Sequence, residues 1–460
     1  MFDTIAAIST PLGEGGIGIV RISGKEALLI ADRVCRLKNR KSLFEVSSHT
    51  VNYGYVVDPA TGNKIDEVLV TVMHGPRTYT GEDAVEINCH GGIVPVRKVL
   101  DMMLANGAVL AEAGEFTKRA FLNGRLDLAQ AEAVIDIIRS RTEKGMDLAV
   151  SQLAGYLSSE INEIRDELLE LLAYIEAAID FPEDDVDDIG IKEIEQRVYQ
   201  VRRRVERLLE DSKKGRIYRE GIRMVIAGKP NVGKSSLLNA LMRENRAIVT
   251  DIPGTTRDII EEVINIKGIP VRLVDTAGIR TSSDLVEKIG VEKTLEYLDL
   301  ADLILLVLDS AAELTSDDLE IIERIGNKPV VFVLNKIDVK NPVLSQDNLV
   351  QIIRGRPLVE ISATLEIGLN LLEDLLAEMV LGGEAGVHGH GMVTRIRHIE
   401  ALRKSARYLD QALEGCLLGV APDLLSIDIR GAWESLGEIT GDTTNQDVLD
   451  RIFAEFCIGK

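Results

Sequence analysis

The first part of the chain carries its apolar residues in short bursts rich in Val and Ile. Ile17–Ile22, Val51–Val57, Val68–Met73 and Ala84–Ile87 are bounded by glycines and predict β-strands. The stretches after Gly24 and after Gly92 switch to helical spacing, so residues 1–120 predict an α+β domain. Near Asp127 the period lengthens. Leu153, Leu157, Ile161, Ile164, Leu168, Leu171 and Leu172 fall on a helical stripe, and residues 127–180 contain almost no Gly or Pro. The acidic run at 181–188 ends that stripe and reads as a solvated loop, to which no metal is assigned. A second long helix is predicted from Ile191 to about Lys214, with basic residues in its last turns, where they suit the helix dipole. From Ile222 to about Leu381 strands and helices alternate, the pattern of a doubly wound α/β unit. A glycine-rich connection at 382–391 leads into residues 394–456, which are helical again. The simplest organisation is a helical domain in two parts, 121–219 and 382–460, interrupted by an α/β domain at 220–381. No internal repeat is visible.

Composition narrows the choice of partners. The 460 residues are 45% hydrophobic and 28% charged, as in ordinary globular proteins, and the formal net charge is -21. Such a chain repels nucleic-acid phosphates as a whole, so contact with RNA needs a local basic patch or a partner that supplies one. The cysteines, Cys35, Cys89, Cys416 and Cys457, show no CxxC spacing, which speaks against zinc and suits a reducing cytosol. The N-terminus lacks a basic start followed by an apolar stretch, and apolar runs such as Leu303–Leu308 are too short to cross a bilayer. The expectation is a cytoplasmic protein with no membrane association.

The chemistry is concentrated in the α/β segment. The strand Met224–Ala227 runs into Gly228-Lys229-Pro230-Asn231-Val232-Gly233-Lys234-Ser235 and a helix predicted at Ser236–Leu241, which is G-x-x-x-x-G-K-S in strand–loop–helix context. The loop amides suit phosphates, Lys234 should reach the β- and γ-phosphates, and Ser235 should ligate Mg²⁺. The strand Val271–Val274 leads into Asp275-Thr276-Ala277-Gly278, a DxxG motif: Asp275 would hold Mg²⁺ through water, and the Gly278 amide would sense the γ-phosphate. The strand Val330–Leu334 precedes Asn335-Lys336-Ile337-Asp338, an NKxD motif. A carboxylate at Asp338 can accept from both N1–H and the 2-amino group of guanine. Adenine has neither donor, and such a mismatch discriminates by roughly 10⁴ or more. Asn335 would bind the guanine edge, Lys336 would lie along the ring, and Ser362-Ala363-Thr364 fits the segment that contacts the guanine carbonyl. Three motifs in this order predict a Ras-like P-loop G domain that takes GTP. Between the first two lies Thr250-Asp251-Ile252-Pro253-Gly254-Thr255-Thr256, where Thr256 can give Mg²⁺ a second hydroxyl and the loop can order with the γ-phosphate. After DxxG stands Ile279, where a Ras-like enzyme has its water-orienting Gln. Another group must position the water, and a cation in trans or a monovalent ion could balance the transition-state charge.

These motifs, with stretches spread along the whole chain, resemble the MnmE (TrmE) family of tRNA-modification GTPases. The stretches are Val20–Gly24, Tyr79–Asp83, Cys89–Gly92, Ala113–Thr117, Leu126–Glu132, Ile179–Pro182 and the ending Phe456-Cys457-Ile458-Gly459-Lys460. The resemblance implies an N-terminal tetrahydrofolate-binding domain, a discontinuous helical domain and an inserted G domain. It implies work as a homodimer with the flavoprotein MnmG, a heterotetramer in which MnmG holds FAD and most of the tRNA contact. Together they would add a (carboxymethyl)aminomethyl group to C5 of the wobble uridine, with a tetrahydrofolate derivative as one-carbon source. The resemblance also implies activation by K⁺, with Asn231, Thr250, Ile252 and Thr255 supplying oxygens, and with Glu287 organising the attacking water. Taken alone, Glu287 reads as a solvated helix residue. The catalytic set is then Glu287, Lys234 and Thr256. For folate the matching positions are Arg21, Glu86, Arg125 and Lys460; at Arg125 the family can carry lysine, so binding with altered geometry is expected. Cys457 matches a functional family cysteine and equally reads as a small buried residue of the last helix. Cys35, Cys89 and Cys416 read as packing residues, and His90 as part of a turn. Two rival functions fit the G motifs: a folate-responsive GTP switch controlling a partner, and a ribosome-assembly GTPase.

Overall fold

A computed structural model describes residues 3–180, 191–245, 262–274, 297–340, 342–382 and 392–460. The chain forms two compact units, the first made of residues 1–135, 153–169 and 433–460, the second of residues 136–152 and 170–432.

The first unit is built on a seven-stranded sheet in the order β3-β4-β5-β6-β2-β1-β7. Its strands are β1 (Ile5–Ile8), β2 (Ile17–Ser23), β3 (Cys35–Leu37), β4 (Thr50–Val57), β5 (Lys64–Met73), β6 (Ala84–His90) and β7 (Val109–Leu110). All neighbours are antiparallel except β1 and β7. Helices α1 (Ala27–Val34) and α2 (Ile93–Ala105) cover one face, where Val20, Ile22, Val70, Val85 and Ile87 meet Ile30, Val34, Val99 and Met103. Alternation then sends Arg21 and Glu86 to the other face, directly opposite each other across β2 and β6. The four strands expected from Val/Ile bursts are all present. Strands β1, β3 and β7 were not legible, being four, three and two residues long.

The helices are α3 (Glu115–Leu122), α4 (Leu128–Arg139), α5 (Glu143–Leu153), α6 (Tyr156–Asp180) and α7 (Ile191–Glu220). The single stripe expected over 127–180 is thus three helices; Gly155, at φ +90°, closes the second of them in a backbone conformation that L side chains avoid. Helix α7 runs past Lys214 to Glu220, ending one residue before the next strand.

The second unit holds a six-stranded sheet in the order β13-β12-β11-β8-β10-β9, parallel except for the β9–β10 hairpin. Its strands are β8 (Ile222–Ala227), β9 (Glu262–Ile266), β10 (Ile269–Val274), β11 (Leu303–Asp309), β12 (Val330–Asn335) and β13 (Leu358–Glu360). With them come α8 (Lys234–Asn245), α9 (Ser316–Ile325), α10 (Gln346–Ile353) and α11 (Leu369–Leu381). One face packs Met224, Ile226 and Leu305 against Leu237, Leu241 and Leu376; the other packs Ile304, Leu306 and Phe332 against Ile325 and Leu349. Burial on both faces explains the unbroken apolar run of β11.

After this sheet come α12 (Ile396–Leu417), α13 (Pro422–Thr440) and α14 (Gln446–Ala454). Helices α7 and α12, which flank the α/β segment in sequence, pack along each other. The Asp136 carboxylate on α4 accepts from Arg219 Nε at 3.0 Å and from Arg395 Nη2 at 2.8 Å. Gln152 on α5 donates to Met392 O at 2.7 Å. Chain entering and leaving the α/β segment is therefore held by the same pair of helices.

Among the described residues no helix is long and apolar enough to cross a membrane, and no group of three His, Cys, Asp or Glu could hold a metal ion. Cys35, Cys89 and Cys416 are buried as expected, and burial pushes the Cys35 thiol up to about 12 and Cys89 up to about 11. Two expectations change. Cys457 is exposed and follows the last helix instead of lying buried within it. His90 ends strand β6, with its ring bonded to Asp66 Oδ1 at 2.6 Å, a bond that raises its pKa.

Candidate functional site

In the second unit the loop from Gly228 to Gly233 joins the carboxyl end of β8 to α8, which begins at Lys234 and not at Ser236. Two glycines are required by space as well as by torsion. Gly228 (φ +141°) would set a Cβ 2.5 Å from Val307 O, and Gly233 (φ +99°) would set one 2.2 Å from Asn335 Nδ2. Lys234 Nζ lies back across the loop, donating to Gly228 O at 2.7 Å and Lys229 O at 2.8 Å. Asn231, at φ +62°, and Ser235 are exposed, and Val232 is buried beneath the loop.

The NKxD segment leaves the carboxyl end of β12 beside this loop, and here the structure adds a role to the one expected from sequence. Asn335 is only 2% exposed. Its Nδ2 donates to Val232 O at 2.9 Å, while its Oδ1 accepts from Ala363 N at 3.0 Å. The side chain expected at the guanine edge is thus a brace between the phosphate loop and the Ser362–Thr364 segment. Lys336 Nζ donates to Asn231 O at 2.7 Å and Asp309 Oδ2 at 2.6 Å, a second tie to the loop. Asp338 is exposed, and its Oδ1 accepts from Ser362 Oγ at 2.6 Å; the same hydroxyl accepts from Leu365 N at 3.2 Å. That aims one carboxylate edge while leaving the other for a ligand's donors. Sequence reasoning missed Asp309, Ser310 and Asp318. Ser310 Oγ donates to Lys336 O at 2.8 Å, and Asp318, 1% exposed, holds Lys229 Nζ at 2.8 Å. Their signal is weak, since each stands at a strand or helix end outside any motif.

The structure brings Asn231–Ser236, Asn335, Lys336, Asp338 and Ser362–Thr364 together. Thr250, Asp251, Ile252, Pro253, Gly254, Thr255, Thr256, Asp275, Thr276, Ala277, Gly278, Ile279 and Glu287 lie outside the described residues.

The first unit gathers a second set. Arg21 Nε donates to Glu86 Oε1 at 2.8 Å, and Arg21 Nη1 donates to Gly459 O at 3.3 Å. The Arg21 guanidinium lies 5.6 Å from the Phe116 ring centre and 5.9 Å from that of Tyr79, and the Arg125 guanidinium lies 5.0 Å from the Tyr79 ring centre. The C-terminal tail is fastened by an Ala113–Ile458 bridge and by Ser9 Oγ donating to Gly459 O at 3.1 Å. Gly459, at φ +90°, runs so close to Ile8 O that a Cβ would stand 2.3 Å away. Lys460 is thereby delivered beside Arg21 and Glu86, and its pKa is depressed, first by burial and then by the Arg21 charge. Burial also raises the Tyr79 hydroxyl, which shares a 2.8 Å bond with Thr117 Oγ1. Three cations, one carboxylate and two aromatic rings suit an anionic, planar, hydrogen-bonding molecule. All four residues singled out here from sequence belong to this cluster. Tyr79 and Phe116 were missed as site residues because a lone ring in a polar stretch carries no signal of what it faces.

Comparison with known proteins identifies the family. Residues 4–125 match the model described as GTP-binding protein TrmE N-terminus, and residues 128–457 match that of the MnmE helical domain. Curated relatives named tRNA modification GTPase MnmE include those of Alkaliphilus oremlandii, 51% identical over 458 residues, and Geobacillus thermodenitrificans, 51% over 460; each match covers 100% of this chain and 99% of the relative. Among solved structures, the G domain of the T. maritima FeoB iron transporter is 30% identical and covers 34% of this chain and 97% of its own, at a TM-score of 0.25, too low to bear on the fold. Identity of this level over the full length, with both family models matched, is decisive: the chain belongs to the MnmE family.

Proposed function

We propose that this chain is a GTPase acting in tRNA modification. The observation that carries the reading is the Asn335 brace: one buried amide joins the phosphate loop to the Ser362–Thr364 segment, beside a carboxylate, Asp338, aimed by Ser362. A site of that form reads a base and a phosphate chain as one ligand, and the carboxylate favours guanine. The curated relatives are named as GTPases of tRNA modification, which supplies the process.

The finer reading goes with it. Residues 220–381 form the G domain, set into a helical domain at 121–219 and 382–460, with 1–120 as the N-terminal domain. Ser235 and Thr256 would hold Mg²⁺, which neutralises phosphate charge. Asn231, Thr250, Ile252 and Thr255 would hold K⁺, which would replace an arginine finger. Glu287 would orient the water. Arg21, Glu86, Arg125 and Lys460 would take a tetrahydrofolate derivative: the cations face its carboxylates, and Glu86 accepts from ring N–H groups. The chain would act in the cytoplasm as a homodimer with MnmG, which keeps the FAD. Two measurements test this reading. Purified protein should hydrolyse GTP and not ATP, and much faster in KCl than in NaCl at equal ionic strength; equal rates rule out the potassium role. Wobble-uridine nucleosides in tRNA from a strain lacking the gene should lose their C5 substituent. Unchanged nucleosides would eliminate the modification reading and leave the folate-responsive switch and the ribosome-assembly GTPase.

A further inference from the structure

We propose that the edge of the first unit's sheet, made by β3, the turn after it and the outer faces of β4 and β5, is an RNA-contact surface; this rests on the tRNA reading above. The chain has 53 basic against 74 acidic residues, yet Arg36-Leu37-Lys38-Asn39-Arg40-Lys41 sets four cations in six positions with no acid among them. All four are exposed, and Leu37 alone turns inward to the core. Aromatic rings lie between them and the next cation. Arg36 stands opposite Tyr55 across the β3–β4 ladder. Lys38 Nζ lies 5.0 Å from the Tyr53 ring centre and Lys64 Nζ 3.8 Å from that of Tyr55, and the two rings are 5.8 Å apart at 58°. Phe44, three residues beyond Lys41, is 55% exposed.

The turn is rigid before any ligand arrives. Arg40, at φ +61°, donates its amide to Leu37 O at 3.0 Å; Lys38 N reaches Tyr53 O at 3.0 Å; Lys41 N reaches Asn39 Oδ1 at 3.0 Å. The Asp32 carboxylate spends Oδ1 on Ser42 Oγ at 3.0 Å and Leu43 N at 2.7 Å, locking the turn. Of the nearby acids, Asp66 is paired with His90, while Glu45 bonds Ser42 and Glu67 bonds the Tyr53 hydroxyl, neutral groups that fix these carboxylates and leave their charge in place. Arg36 anchors Nη1 on the neutral carbonyls of Asp32 and Cys35, which leaves its charge uncancelled. Cations on a fixed edge, alternating with ring faces, match a polymer of phosphates with unstacked bases.

The test uses the full chain and a fluorescein-labelled tRNA transcript, with anisotropy titrations between 50 and 200 mM KCl. The K38E/R40E/K41E variant should bind at least tenfold more weakly at 100 mM. Its slope of log K against log salt should fall by roughly 2–3, about 0.7–0.9 for each lost phosphate contact. R97E/K98E, on the exposed part of α2, should leave both unchanged. F44A should weaken tRNA and leave heparin binding alone. GTP hydrolysis should be unaffected in all variants. An unchanged slope in the triple variant, an equal loss in R97E/K98E, or a parallel loss of heparin in F44A overturns the proposal. Normal wobble nucleosides in the deletion strain would instead overturn the tRNA reading, so the two failures are distinct.

Discussion

The brace at Asn335 gives a prediction with a magnitude. Replacing Asn335 with Ala removes the partner of Val232 O and of Ala363 N, at residues that are 1% and 6% exposed. A buried polar group left unpaired costs about 1–3 kcal/mol. Two such groups give roughly 2–6 kcal/mol, and water entering the space left by the amide brings the figure to about 2–4 kcal/mol. For a domain of this size about 2–4 °C is lost per kcal/mol, so the melting transition that GDP shifts should fall by roughly 4–16 °C. The bonds also join the segments expected to meet phosphate and base. Re-forming that geometry without them should weaken GDP by up to about 30- to 700-fold, since each 1.4 kcal/mol is tenfold. Asn335→Asp separates the two ends of the brace. It keeps the acceptor for Ala363 N and sets a carboxylate against the Val232 carbonyl, so it should harm the phosphate loop more than the base segment. Differential scanning fluorimetry with and without GDP, paired with titration of a fluorescent guanine nucleotide, reads both. Asn335→Ala melting within a degree of wild type, with unaltered GDP affinity, refutes the brace.

Gly233→Ala should abolish tight guanine-nucleotide binding, by more than about 100-fold, because the new methyl would stand 2.2 Å from the Asn335 amide in a backbone conformation alanine avoids; near-normal affinity contradicts the crowding. Lys460 is depressed below 10.5, and a bound carboxylate would restore its charge, so binding an anionic folate takes up a proton once pH exceeds the depressed value. Affinity should be flat below that pH and fall as pH rises through it; Lys460→Met should bind more weakly and show no such fall, as calorimetric titration at several pH values will reveal. Asp136→Ala removes the carboxylate shared by Arg219 and the buried Arg395 and should cost about 3–5 kcal/mol in a thermal melt, with Asp136→Asn losing less.

Periodicity and motif context made the α/β sheet and the long helices legible in sequence. The P-loop and NKxD motifs announce themselves because phosphate and guanine demand particular atoms at fixed spacing. What remained hidden was the support. The bonds of Asn335 to Val232 and Ala363 were invisible, since a motif tells which residue is needed and not which of its bonds are internal. Arg21 and Glu86 lie sixty-five positions apart, and only the β2–β6 register sets them side by side. Lys460 reaches that pair because Gly459 can turn where a Cβ would strike Ile8. The break between α5 and α6 escaped notice because apolar residues run through it, from Leu153 to Leu157, while the chain's turn at Gly155 depends on a torsion that composition does not show.

Net charge was the weakest guide to ligands, and the reason is one of length. At physiological ionic strength exposed charges are screened beyond about 8 Å. A sum of -21 over 460 residues therefore says little about the field at any one site. What counts is which cations the fold gathers within that distance and whether it cancels them. In the second unit Lys229 and Lys336 are spent on Asp318 and Asp309, so they brace the loop. In the first unit Arg21 and Lys460 share one carboxylate, Glu86, and Arg21 and Arg125 rest on aromatic rings that bring no negative charge. The depressed Lys460 pKa records the result: a cation is disfavoured there until an anion arrives. An acidic chain can in this way hold a site for anions, provided the fold spends its carboxylates elsewhere.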